Sequence, residues 1–251
     1  MQLFNLKGIA RNYENRNFAN FNFVTTMSKI QANTKVAAPE TNLGQSGNFV
    51  RENQKSLLFI GGAIIALIAI YLLYLKLYLG PREVTAADQM HVAQDFWAKK
   101  DWDKAIKGDA SYPGFEKIIS EYSNTKAANL AYFYLGTAYL NKGEYSKAID
   151  NLNNYRGDDA MVAPEAFGAM GDAYVELKDY DKAATNFNKA IDKAHNKFLS
   201  PLYLKKLGLV YEEQKDNKAA SETYKRIKSE YPESAEAQNI DEYIARAEAK
   251  Q

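Results

Sequence analysis

Residues 132–152 read YFYLGTAYLNKGEYSKAIDNL, and the order of small and large side chains in this stretch decides the fold. Leu135-Gly136 is followed by Tyr139, an alanine comes twelve residues after the glycine at Ala148, and Leu152 stands four further on. The cadence returns as Met170-Gly171, Tyr174, Ala183 and Phe187, and again as Leu207-Gly208, Tyr211, Ala220 and Tyr224. The glycines lie 35 and 37 residues apart. Self-similarity at that period is the mark of stacked helical hairpins, each burying its apolar face only against its neighbours. The Leu or Met and the Tyr fall on one face of a first helix. The glycine and the later alanine are the small residues that let two helices approach closely.

Short polar breaks separate the two helices of each pair: Lys142-Gly143-Glu144, Lys178-Asp179 and Lys215-Asp216-Asn217. Pro164 and Ser200-Pro201 suit first turns, where a missing N–H does no harm. A weaker copy lies upstream. Val92-Ala93 and Phe96 precede Ala105 by the same interval, but the expected aromatic is delayed to Phe115, which implies an insertion around Lys107–Gly114. That loop is either a contact element or an insertion tolerated at little cost. A last segment sets Ile240, Tyr243, Ile244 and Ala247 on one face, as a closing helix requires.

The cadence resembles the tetratricopeptide repeat, W-x2-L-G-x2-Y followed by A-x3-F and a late proline. Tyr132, Phe167 and Leu204 stand at the tryptophan position, and the proline is present only as Pro232. The expected fold is therefore all-α: a tetratricopeptide-repeat solenoid of about four hairpins over 86–234, a capping helix over 235–251, and one transmembrane helix in front of them.

That helix is LLFIGGAIIALIAIYLLYLKLYL, Leu57–Leu79. Twenty-three residues at about 1.5 Å each give roughly 35 Å, enough to cross a bilayer with some tilt. Tyr71, Tyr74 and Tyr78 gather at its end as interfacial aromatics do. Gly62, Ala66 and Ala69 form a small-residue stripe suited to a partner helix. Residues 80–85 are expected to be a short linker. Residues 1–56 are expected to form a polar, mostly disordered arm, in which residues 1–26 are either a stretch with a likeness to an organelle transit peptide or untranslated sequence before a start at Met27. The arm holds seven Lys/Arg against three acids, and residues 81–251 hold 24 against 28. The charge bias favours a cytoplasmic arm with the repeats exported.

The chain has two histidines and no cysteine, so thiol chemistry and disulfides are excluded. No phosphate-cradling, nucleophile-elbow or zinc-protease motif occurs. The acidic repeat region lacks the basic footprint of a nucleic-acid binder. No enzyme activity, cofactor, metal or small-molecule substrate is expected.

In the repeat family, ligand-facing residues come from the first helix of each pair. Carried over by position, they are Leu130, Phe133, Tyr134 and Thr137 in the first clear copy, Glu165, Asp172 and Glu176 in the second, and Leu202, Lys205, Leu209 and Glu212 in the third. Phe133 and Thr137 stand where a carboxylate clamp would need Lys and Asn. Phe133 and Tyr134 either line the groove or pack against the preceding repeat. Basic arm, single anchor and short repeat domain together resemble the ancillary subunit of the bacterial SecYEG translocon. This likeness implies an inner-membrane protein with periplasmic repeats, whose partners are translocon subunits, periplasmic chaperones or unfolded clients. The alternative is a cytosol-facing receptor on an organelle membrane.

Overall fold

The computed structural model describes residues 51 and 53–251. The arm up to residue 50 and the start at Met27 lie outside them. The chain divides into two compact units, Met1–Gly62 and Ala63–Gln251. The described part of the first contains the beginning of helix α1, Gln54–Leu73. Helix α1 runs through a wider turn, Tyr74–Leu79, into α2, Gly80–Ala98.

The wider turn has a cause in Pro81. A proline ring inside a helix removes one N–H and crowds the carbonyl four residues back. Here the helix opens by one residue, and the Gly80 N–H bonds Leu75 O, five positions earlier. Gly80 keeps right-handed helical angles, and the Thr85 hydroxyl donates to Pro81 O at 3.0 Å. Residues 80–85 are thus helix, where the sequence reading expects a linker.

The second unit continues as α3 (Trp102–Lys107), α4 (Phe115–Glu121), α5 (Lys126–Asn141), α6 (Tyr145–Asn154), α7 (Val162–Glu176), α8 (Tyr180–Ala194), α9 (Leu199–Glu213), α10 (Asn217–Glu230), a 3-10 turn (Ala235–Ala237) and α11 (Ile240–Glu248). The first helices of the pairs are α2, α5, α7 and α9. Their partners are α3 with α4, then α6, α8 and α10, and α11 packs on α10.

Each turn inside a pair uses one left-handed residue followed by an acid. Lys100, Gly143, Lys178 and Lys215 have φ of 61°, 77°, 58° and 62°. After three of them an aspartate caps the next helix: Asp101 accepts from Lys104 N–H, Asp179 from Lys182 N–H and Asp216 from Ala219 N–H. Gly143 meets the left-handed requirement without a Cβ penalty, whereas Glu144 after it makes no such cap.

The glycines act where the cadence puts them. A Cβ on Gly136 would stand 2.5 Å from Leu152 Cγ, one on Gly171 2.6 Å from Phe187 Cε1, and one on Gly208 would overlap the Tyr224 ring. Each glycine thus seats the large residue sixteen positions later. Ala148, Ala183 and Ala220 are fully buried beside those contacts. In the first pair the second helix is split. Gly108 and Pro113 pair across a closed neck, and Asp109 holds the Ser111 and Tyr112 N–H groups. Beyond it, Phe115 and Ile118 return to the core fully buried.

Candidate protein-binding groove

The eleven residues carried over from the repeat pattern do not share one environment. Phe133 is only 7% exposed and packs with Leu152, Ala166, Ala169 and Met170, between the second and third pairs. Tyr134 meets Trp97 edge-on at 5.3 Å and stacks on Phe115 at 5.4 Å. Thr137, 8% exposed, accepts a hydrogen bond from the Trp97 indole at 3.0 Å and donates to Tyr134 O. Leu130 is half-buried against the same clusters. Phe133, Tyr134 and Thr137 therefore hold repeats together and are not free to line a groove. Trp97, Trp102 and Phe115, an aromatic group from the interrupted first pair, fill the space beside Tyr134 and Thr137, and Ala166 and Met170 of the third pair close on Phe133.

Further along the chain the picture changes. Asp172, Leu209 and Glu212 come together around an open cleft of about 720 Å³, with Val175, Lys206 and Arg246 on its walls. Leu209 is 41% exposed there. Lys206 bridges both carboxylate oxygens of Asp172 at 2.7 Å. Arg246 grips Glu212 through two N–H groups, at 3.0 and 2.6 Å, and the Tyr224 hydroxyl donates to the same carboxylate at 2.8 Å. Burial works to raise the Glu212 pKa, but the hydrogen bonds from Arg246 and Tyr224 and the charges of Arg246 and Lys250 outweigh it and hold it below the ordinary value. Tyr243 carries a cation on each of two contacts, with Lys205 and Arg246 both 4.6 Å from its ring centre.

Besides the first-copy residues, four predicted residues lie outside this cleft, Lys205 over Tyr243 being one of them. Leu202 is half-buried against the core of the last two pairs. Glu176 is exposed and accepts from the Tyr145 hydroxyl at 3.2 Å. Glu165 is raised in pKa by burial and then by the charge of Asp159. Its folded state holds the proton more tightly than the unfolded chain, so ionisation at neutral pH costs stability. Glu165→Gln is expected to raise the urea midpoint near neutrality. The gain should shrink as pH falls from the raised folded value toward the ordinary glutamate value of 4.5 and vanish below it, where both states are neutral. Equal midpoints for the two proteins at neutral pH would show that the carboxylate costs nothing.

Sequence reasoning missed Arg246, Lys206 and Val175. Val175 follows Asp172 by one helical turn and was open to discovery by spacing. Arg246 was not, because the capping helix lies outside the repeat and its register cannot be carried over. Within α1, Gly62, Ala66 and Ala69 are all exposed, and a Cβ on Gly62 would meet nothing within 4 Å.

Taken together, the architecture is that of a helical-repeat, protein-interaction scaffold with a mixed apolar and charged cleft at its C-terminal end. Tetratricopeptide-repeat family models match residues 130–158 and 169–235, so these stretches are tetratricopeptide repeats. Among solved structures, the chain is similar to a crystal structure of MamA protein, with a TM-score of 0.50 at 21% identity, over 66% of this chain and 91% of that one. A second crystal structure of MamA aligns with a TM-score of 0.46 at 20% identity, over 63% and 94% of the two chains. At that identity the first likeness is one of fold. No curated protein matches the sequence.

Proposed function

We propose that this chain is a membrane-anchored, non-enzymatic scaffold that works beside the protein-translocation machinery and engages chaperones or emerging polypeptides. The observation that carries the anchor is the state of α1 and the turn after it. Phe59, Ile65, Ile68, Tyr71, Leu72 and Leu77 are all exposed, on every side of the helix, and none of its apolar stretch is buried. Leaving so much apolar surface in water would cost about 25 cal/mol per Å², and a surrounding lipid phase removes that cost. The excess of basic residues in the arm and of acids in the repeats supports a cytoplasmic arm with periplasmic repeats on a bacterial inner membrane.

The cleft supports the binding half of the reading. Leu209 and Val175 offer an apolar floor, and the ion pairs of Asp172–Lys206 and Glu212–Arg246 frame it. Such a surface suits an amphipathic helix or an extended apolar segment, with charges fixing register. A photo-crosslinking residue at Leu209, in native membranes, is expected to trap translocon subunits, chaperones or nascent chains. The same residue at exposed Lys218 on α10 is expected not to. Equal products from both positions, or none from Leu209, would remove the cleft from the account.

A further inference from the structure

We infer that the edge of the repeat domain formed by the loops between pairs lies on the phospholipid headgroups of the membrane that α1 enters. This rests on the anchored reading above.

The direction of α2 decides which edge of the repeats meets the bilayer. Near its start, Glu83 accepts from the Lys126 and Ala127 N–H groups at 2.7 and 3.0 Å, at the beginning of α5. Arg82 donates to Glu121 O and stands 5.3 Å over the Tyr122 ring. Near its end, Trp97 bonds Thr137, late in α5. The two helices are therefore parallel and in register, and both begin at the same edge. The apolar run reaches Leu79, four residues before Glu83. At 1.5 Å per residue this is about 6 Å. The headgroup layer on each side of a bilayer is roughly 5–8 Å thick. Loop 122–125 thus falls within it.

Hydrogen bonds carry the edge onward. The Asn129 side chain accepts from Arg156 N–H at 2.8 Å and donates to Arg156 O at 3.2 Å, which fixes loop 155–161 beside the start of α5. Lys193 pairs with Asp158, and Asn196 donates to Ala160 O at 3.4 Å, which ties loop 195–198 to loop 155–161. These loops project Met161, 58% exposed, and Phe198, 74% exposed. Exposed Lys126, Arg156 and Lys197 stand among them. Isolated apolar tips with basic neighbours fit the boundary between phosphates and acyl chains. On the opposite edge the turns at 99–101, 142–144 and 214–216 carry Lys, Asp, Gly, Glu and Gln, and the turn at 177–179 exposes Leu177 at 45%, less than Met161 or Phe198.

The absence of cysteine makes single-cysteine labelling direct. The full chain is reconstituted in phospholipid vesicles with a spin label at Ala160→Cys, Lys197→Cys, Ser146→Cys or Leu72→Cys, and relaxed by nickel held on lipid headgroups. Ala160, Lys197 and Ser146 are all exposed, and Ser146 starts α6 at the opposite edge. The expected result is strong relaxation at 160 and 197, little at 146, and an oxygen-accessible, apolar environment at 72. Relaxation at 160 alone, or at 160 and 197 no greater than at 146, would overturn the headgroup contact while a buried label at 72 left the anchor standing. A label at 72 in water would remove the anchor, and the edge contact with it.

Discussion

Replacing Tyr224 with alanine is expected to cost about 3–5 kcal/mol, the loss typical of a large aromatic removed from a packed core. Its ring is fully buried, lies over Gly208, and meets Tyr243 edge-on at 5.4 Å. The same substitution deprives the Glu212 carboxylate of its hydroxyl donor. Helical repeats are stabilised by nearest-neighbour interfaces, so the loss should fall on α9, α10 and α11 first. Hydrogen exchange is the suitable measurement: amides of those three helices should lose protection while α5 and α6 keep theirs. Tyr224→Phe separates the two contributions. It keeps the ring and removes one hydrogen bond to a charged acceptor, a loss of about 1.5–3 kcal/mol. Equal losses for the two variants would mean that the ring's seat on Gly208 contributes little.

A pair of arginines at Ile65 and Ile68 is the second large effect. Each arginine at the centre of a spanning helix costs about 2.5–3.5 kcal/mol on insertion scales, so the pair costs roughly 5–7 kcal/mol. Both side chains are exposed on α1, so nothing in the repeats depends on them. The expected result is loss of the protein from the alkali-resistant membrane fraction, with the circular dichroism of the repeats unchanged. Retention in that fraction would mean that α1 does not cross a bilayer.

The packing of the repeats was legible because it depends on local spacing. Gly136, Gly171 and Gly208 each face the residue sixteen positions later, and no long-range information is needed to see it. The broken first pair was legible too, because Phe115 and Ile118 resume the register after the insertion and return to the core. Gly80-Pro81 misled for a physical reason. The dipeptide reads as a break, yet one widened turn absorbs the proline and the helix continues. Phe133 and Thr137 were ambiguous by position alone. Whether a side chain on a first helix faces a groove or a neighbour depends on how large the neighbour is, and here Trp97 fills the space at Thr137 while Leu152 and Met170 fill it at Phe133. The cleft around Leu209 was half legible. Asp172, Leu209 and Glu212 followed from the repeat, whereas Arg246 arrives from a helix with no repeat register.

The central claim is a repeat domain carried on one membrane span, on the side away from the basic arm. Protease treatment of sealed vesicles with the cytoplasmic face outward tests it most directly. The account predicts that a fragment holding the span and all of residues 81–251 survives until detergent opens the vesicles. Digestion of the repeats in intact vesicles would contradict it.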